Sequence, residues 1–219
     1  MDMGKIKPKK SWNPDPKALE ITKLVVYGVN YGQDLGCDQR INTSTPEIDR
    51  LPRLSFTHTL SNFKGNTIPH DKLMTIFNLT RLNMRSLYDE NDFDGGWNDK
   101  KKLGELKYHK THILIVSKED LEIIGFASYR FLIMREQQPP TPVCYIYELQ
   151  IKDEYRGQGL GRFLVQLLEI IAKYTLCKKL MCTVLKANHR ALKFYRERCH
   201  FSNDESDPNS SYHVLKGIL

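Results

Sequence analysis

Paired cysteines and long apolar runs are both missing from this chain. Its five cysteines, Cys37, Cys144, Cys177, Cys182 and Cys199, are odd in number, and none has C-x-x-C spacing. That excludes a disulfide framework and leaves no zinc signature, so reduced core thiols and no metal are expected. No apolar run reaches the roughly 20 residues of a membrane span, and the basic stretch Met1 to Ser11 has no apolar segment behind it to make a secretory leader. A soluble intracellular protein without a membrane partner is the expectation. Internal repeats and low-complexity tracts are absent as well.

With 219 residues, of which 40% are hydrophobic, the chain can build one sizeable core. The expected organisation is a flexible basic arm at 1–16 and a single domain at 17–219 that begins with a helical extension. The net charge of +7 favours anionic partners without specifying one. Lys5, Lys7, Lys9 and Lys10 crowd the arm, as a nuclear address or a solvated end. Asp89, Glu90, Asp92, Asp94 and Asp99 make an acidic loop on a basic protein. Such charge runs are usually solvated surface.

Apolar spacing predicts the elements. Residues 17–31 fit a helix after Pro14 and Pro16, the polar stretch from Gly32 to about Pro52 reads as a long loop, and 53–63 as a first strand. Residues 70–88 carry Leu73, Ile76, Phe77, Leu79, Leu82 and Leu87 at helical spacing, as one bent helix or two short ones. Thr111–Ser117 and Ile123–Met134 form a hairpin by pattern, and Val143–Ile151 a third strand. Leu160, Phe163, Leu164, Leu167, Leu168 and Ile171 follow the amphipathic-helix template without a miss. A strand at Lys179–Leu185, a short helix at Asn188–Arg198 and a strand at Tyr212–Leu215 complete the order.

Between the third strand and its helix lies Arg156-Gly157-Gln158-Gly159-Leu160-Gly161. Glycines let the backbone turn tightly, and the first N–H groups of a helix lack internal partners and attract anions, so a phosphate is the natural guest. The loop lacks the Gly-Lys-Ser/Thr ending of nucleotidase phosphate loops, and Arg162 stands where the dinucleotide fingerprint needs glycine. A ligand-free strand-to-helix turn is equally compatible with the loop alone. Upstream, Cys144-Tyr145-Ile146-Tyr147-Glu148-Leu149-Gln150-Ile151 places an aromatic and acidic cluster just before it. Period two puts Tyr145 and Tyr147 on one face and Glu148 on the other unless a bulge intervenes.

Tyr147-Glu148-Leu149-Gln150-Ile151, the Arg156–Gly161 loop, Leu164, Leu167 and Leu168, and the later Asn188-His189-Arg190-Ala191-Leu192-Lys193-Phe194-Tyr195 together resemble the GNAT superfamily of N-acetyltransferases over residues 111–201. The resemblance implies an α/β (α+β) fold, with a mixed central sheet splayed at a bulged strand and helices on both faces. Tyr145–Gln150, with Leu82-Asn83-Met84, Tyr88, Trp97 and Asp204–Pro208, is similar to the branch that acetylates histone amino termini beginning Ser-Gly-Arg-Gly, on histone types four and two-A. A histone peptide, in a nucleosome or emerging from a ribosome, would then be the partner of a monomer in nucleus and cytoplasm.

By that resemblance, Leu149, Gln150 and Ile151 would hold the pantetheine arm of acetyl-coenzyme A, and Arg156, Gly157, Gln158, Gly159, Leu160, Gly161 and Arg162 its pyrophosphate. Asn188 would touch the cofactor and Tyr195 protonate the leaving thiolate. Asn188 is equally a helix N-cap and Tyr195 equally a core aromatic. Glu148 is the candidate base, directly or through one water, with Tyr147 orienting the amine; a salt-bridged strand carboxylate is its bland alternative. An α-amine, near ~8, needs only a modest base compared with lysine at ~10.4. Both tyrosines and Glu148 can serve one site only if β-bulging near 147–149 splays the sheet. Tyr88, Trp97, Tyr145, Tyr147, Thr183, Ser206 and Tyr212 would line the peptide channel, with cation–π contact to arginine at Tyr88 and Trp97. The branch carries acids after the strand at 123–131, where this chain reads Leu132-Ile133-Met134-Arg135-Glu136 and only Glu136 is acidic. Either Glu136 or the acidic loop takes the arginine. A lysine or small-amine acetyltransferase, and a non-catalytic acyl-CoA or nucleosome-binding module, are the alternatives.

Overall fold

The computed structural model describes residues 58–118, 121–135, 139–208 and 210–219. The expected arm, the helix at 17–31 and the loop to Pro52 lie outside the described residues. The first strand, β1, is His58–Lys64, and one unbroken helix, α1, covers His70–Glu90. A second helix, α2, at Asp99–Lys107 follows directly after the acidic loop. The loop's punctuation hid it from sequence reasoning. Its start is set by Asn98, whose Oδ1 accepts the Lys101 N–H at 2.9 Å.

Strands β2 (His112–Lys118), β3 (Ile123–Met134) and β4 (Thr141–Ile151) follow. Helix α3 (Leu160–Tyr174), β5 (Lys179–Leu185), helix α4 (His189–Lys193) with a π-turn at Phe194–Arg198, the two-residue β6 (Ser202–Asn203) and β7 (Tyr212–Ile218) complete the described chain. The sheet order is β1-β2-β3-β4-β5-β7-β6, antiparallel throughout except for the parallel pair β4–β5.

Both faces are covered, as alternation along β2 shows. Leu114 and Val116 pack with Leu164, Leu167, Leu168 and Ile171 of α3, while Ile113 and Ile115 pack with Leu73, Ile76 and Phe77 of α1 and Leu106 of α2. Removing each such side chain from water stabilises the fold by about 1.5–3 kcal/mol, which explains why a strand this apolar sits inside the sheet. A third cluster, Leu132, Met134, Val143, Met181 and Val214, lies under Tyr145, Tyr147 and Tyr212. Cys144, Cys177, Cys182 and Cys199 are buried free thiols. No helix among the described residues is long and apolar enough to cross a membrane.

The expected bulge is present. Ser128 pairs with Glu148 and Tyr129 with Ile146, so Tyr147 is the extra residue on β4. On its other side β4 follows β5 only from Val143 to Ile146. Beyond Ile146 the two parallel strands part, and the sheet opens where the tyrosine and glutamate cluster stands.

Candidate active site

The opening leads into a cavity of about 580 Å³. Tyr145, Tyr147, Glu148, Leu149 and Gln150 of β4 form its floor, Thr183 of β5 and Tyr212 of β7 one side, and Asn188 and Tyr195 the far end. Tyr88 of α1 and Lys102 and Glu105 of α2 close the opposite side. Tyr145 and Thr183 hydroxyls lie 2.5 Å apart, and the Tyr145 and Tyr147 rings are 5.5 Å apart. The acidic loop spans the mouth because Phe93 wedges between Tyr88, at 5.0 Å, and Tyr212, at 5.6 Å. Burial pushes the phenols of Tyr145 and Tyr147 up, and that of Tyr88 up to about 12 with help from the negative Glu148, so all three remain hydroxyl donors.

Glu148 is 6% exposed and held at both oxygens. Lys102 Nζ donates to Oε1 at 2.6 Å and Gln150 Nε2 to Oε2 at 2.8 Å. Asn83 Nδ2 of α1 in turn donates to Gln150 Oε1 at 3.0 Å. Lys102 also reaches Glu105 Oε2 at 2.8 Å and lies 5.3 Å from the Tyr88 ring centre and 6.0 Å from that of Trp97. The aromatic and acidic cage expected to receive a substrate cation is therefore filled by the chain's own ammonium. Arg130 of β3 lies 4.1 Å from the Tyr147 ring centre and donates to the Glu105 carbonyl at 2.8 Å.

The glycine loop runs between the end of β4 and the start of α3. Gly157 and Gly159 have φ of +78° and +86°, the left-handed region that costs other residues energy. A Cβ at either position would meet nothing within 4 Å. This is an open cradle rather than a packed turn, above the N-terminus of α3, whose leading N–H groups favour an anion. Arg156 is anchored by its Nε to the Ile151 carbonyl at 3.1 Å, and its NH1 pairs with Asp153. At the cavity's far end Asn188 caps α4, its Oδ1 accepting the Ala191 N–H at 3.1 Å. Tyr195 is buried, which holds its phenol well above the usual range.

Some expected positions lie elsewhere. Trp97 does not line the cavity: it stands 5.5 Å from Tyr88, behind it, with Nε1 donating to Asp99 at 2.5 Å. Ser206 is also outside, because its hydroxyl donates to Asp204 at 2.7 Å in a turn that Lys179 ties down at 2.8 Å. Ile151 and Arg156–Arg162 do not line the cavity. Glu136 lies outside the described residues. The apolar Leu132 and Met134 line the wall at the end of β3, and among the described residues the lining acids are Asp94, Glu105 and Glu148. Sequence reasoning missed Lys102, Glu105 and Arg130. The one available signal was Asn98 as an N-cap with Leu103 and Leu106 at helical spacing.

The sequence model of the Acetyltransferase (GNAT) family matches residues 76–201. An 82-residue segment is 35% identical to N-alpha-acetyltransferase 60 of Xenopus tropicalis, covering 36% of this chain and about a third, 33%, of that protein. Among solved structures, Arabidopsis thaliana NAA60 in complex with a bisubstrate analogue superposes with a TM-score of 0.50 at 14% identity, over 74% of this chain and 99% of the other. An N-acetyltransferase from Thermoplasma acidophilum in complex with coenzyme A gives 0.51 at 16% identity, over 74% and 99%. These structural likenesses concern the fold, a mixed sheet with helices on both faces. The family match, by contrast, spans more than half the sequence: this chain belongs to the GNAT acetyltransferase family.

Proposed function

We propose that this chain is an N-alpha-acetyltransferase that moves an acetyl group from acetyl-coenzyme A to the amino terminus of a peptide. The observation that carries the reading is the buried Glu148 carboxylate at the point where β4 and β5 part, beside Tyr145 and Tyr147. The open cradle at Gly157 and Gly159 fits a pyrophosphate, and the β4 edge beyond Ile146 fits the amide-bearing pantetheine arm. Leu149, Gln150 and Ile151 would hold that arm and Arg156–Arg162 the phosphates, with Asn188 at the thioester end. The cofactor supplies an activated acetyl thioester. Glu148 would take one proton of the α-ammonium, directly or through one water, while Tyr147 orients it; as the nitrogen bonds to the acetyl carbon and the C–S bond breaks, the second proton leaving the nitrogen would replace the one that Tyr195 gives to sulfur. Tyr195, which burial keeps a phenol, would give the departing sulfur its proton.

Within this reading the substrate is a histone tail beginning Ser-Gly-Arg-Gly, as for the N-alpha-acetyltransferase D class. The rings of Phe93, Tyr145, Tyr147 and Tyr212 along the mouth support a small, flexible amino terminus. Asp94, paired to Lys101, is the lining acid outside the Lys102 cluster and is the candidate partner for the arginine. The test offers acetyl-coenzyme A with four tail peptides that each carry a lysine further on: one beginning Ser-Gly-Arg-Gly with a free or a blocked amino terminus, and the same pair with the arginine replaced by leucine. Acetylation of the free peptide alone supports the α-amine. Equal turnover of the blocked peptide points to lysine instead, and equal turnover of the leucine peptide removes the histone assignment. No transfer and no cofactor binding would sink the enzyme reading.

A further inference from the structure

The salt bridge between Lys102 and Glu148 is nearly withdrawn from water, with side chains 8% and 6% exposed. A buried ion pair is a poor route to stability, because desolvation offsets most of the attraction. Its place is also unusual: the carboxylate belongs to the floor of the cavity, while the ammonium arrives from α2, a separate element. Burial by itself would push the Lys102 ammonium down. Glu148, Tyr88 and Glu105 together outweigh it and hold the group charged, well above the ordinary lysine range. The same neighbours that hold Lys102 charged also hold it away from the role of an acetyl acceptor or a base.

We propose that Lys102 is a positioning residue for Glu148: its ammonium on Oε1, with Gln150 on Oε2, fixes the carboxylate in one orientation aimed into the cavity, so that the remaining lone pairs meet the incoming amine. The proposal rests on the reading of Glu148 as the base. The charged and titratable groups facing Glu148 are Lys102 and Glu105 from α2, Tyr88 from α1 and Tyr195 from the π-turn; Arg130 of β3 faces Tyr147 and Glu105 beside it. Of these, only Lys102 donates a charged hydrogen bond to the carboxylate. Its cage of Tyr88, Trp97 and Glu105 then has a purpose other than gripping substrate: it keeps a long, flexible side chain in one place.

The test measures kcat/KM from about pH 6 to about pH 9 for the full chain and for Lys102→Met, Lys102→Arg and Glu105→Gln, with coenzyme A affinity as a folding control. Methionine removes the counter-charge, and a buried carboxylate without its cation takes up a proton at higher pH. The acidic limb should move upward in Lys102→Met, with a loss of about tenfold or more near pH 6 that shrinks toward pH 9. Arginine should restore the limb. Glu105→Gln leaves the ammonium to Glu148 alone and should move the limb the other way. An unmoved limb or a loss uniform with pH in Lys102→Met overturns the proposal, as does an arginine variant no better than methionine. If Lys102→Met fails to fold, Glu105→Gln decides: a limb that stays or rises overturns it. The Glu148 carboxyl carbon resonance, identified by its loss in Glu148→Gln, is followed in the same variants and needs no acceptor. It therefore reads the Lys102 effect even if no amine proves to be a substrate, which would defeat the proposed function alone.

Discussion

Asn83 and Gln150 meet across the molecule at 3.0 Å, a helix amide steadying the strand amide that itself donates to Glu148. Three elements therefore converge on one carboxylate. If it removes the amine proton, Glu148→Gln should lower acetylation by about 10²–10⁴-fold. Calorimetric affinity for coenzyme A should change little, since Glu148 is not among the residues proposed to hold the cofactor. Full turnover at neutral pH in this variant would remove Glu148 as the base.

The cradle itself is open to a direct test. Gly159→Ala puts a Cβ on a residue at φ +86°, at a cost of roughly 1–2 kcal/mol, although the space around it is empty. Coenzyme A affinity should fall by more than thermal stability does, because the backbone N–H groups lose their aim. Matching losses in both measurements would make the loop a plain turn.

Asn188 has two duties to separate. As the cap of α4 its loss in Asn188→Ala should cost about 0.5–2 kcal/mol by denaturant melting. Asn188→Asp keeps the acceptor and should keep most of that stability, so any weakening of cofactor binding in the aspartate variant reports contact with the ligand alone.

Acid should loosen the fold through His112. This ring is buried against Tyr129 at 5.3 Å, and burial, helped by Lys64, pushes its pKa down to about 4 from 6.5. The unfolded chain binds the extra proton first, so stability is whole above about pH 6.5 and falls as pH drops toward 4. The expected loss between about pH 7 and about pH 5 is roughly 2 kcal/mol by urea unfolding. His112→Phe should flatten that slope, and an unchanged slope would assign the acid sensitivity elsewhere.

These contrasts show what the sequence could carry. Helix α3 and strand β5 were legible because their apolar periodicity coincides with their burial, and the β4 bulge because Tyr147 and Glu148 cannot share a site without it. Helix α2 was not: Lys100, Lys101, Lys102 and Gly104 read as solvated polarity, and nothing local marks Lys102 as the member that turns inward. Pairing partners 46 residues apart, such as Lys102 and Glu148, leave no spacing signal. Ser206 failed for the reverse reason. Its neighbourhood looked like a substrate turn but is an ion cluster holding β5 to β7.

Cys182 lines the same cavity, yet burial keeps its thiol protonated. A thioester entering this space would meet Cys182 as a thiol rather than as the thiolate that could capture its acyl group. Transfer to that residue, with the acyl-cysteine dead end or two-stage relay it would bring, is disfavoured by the same burial.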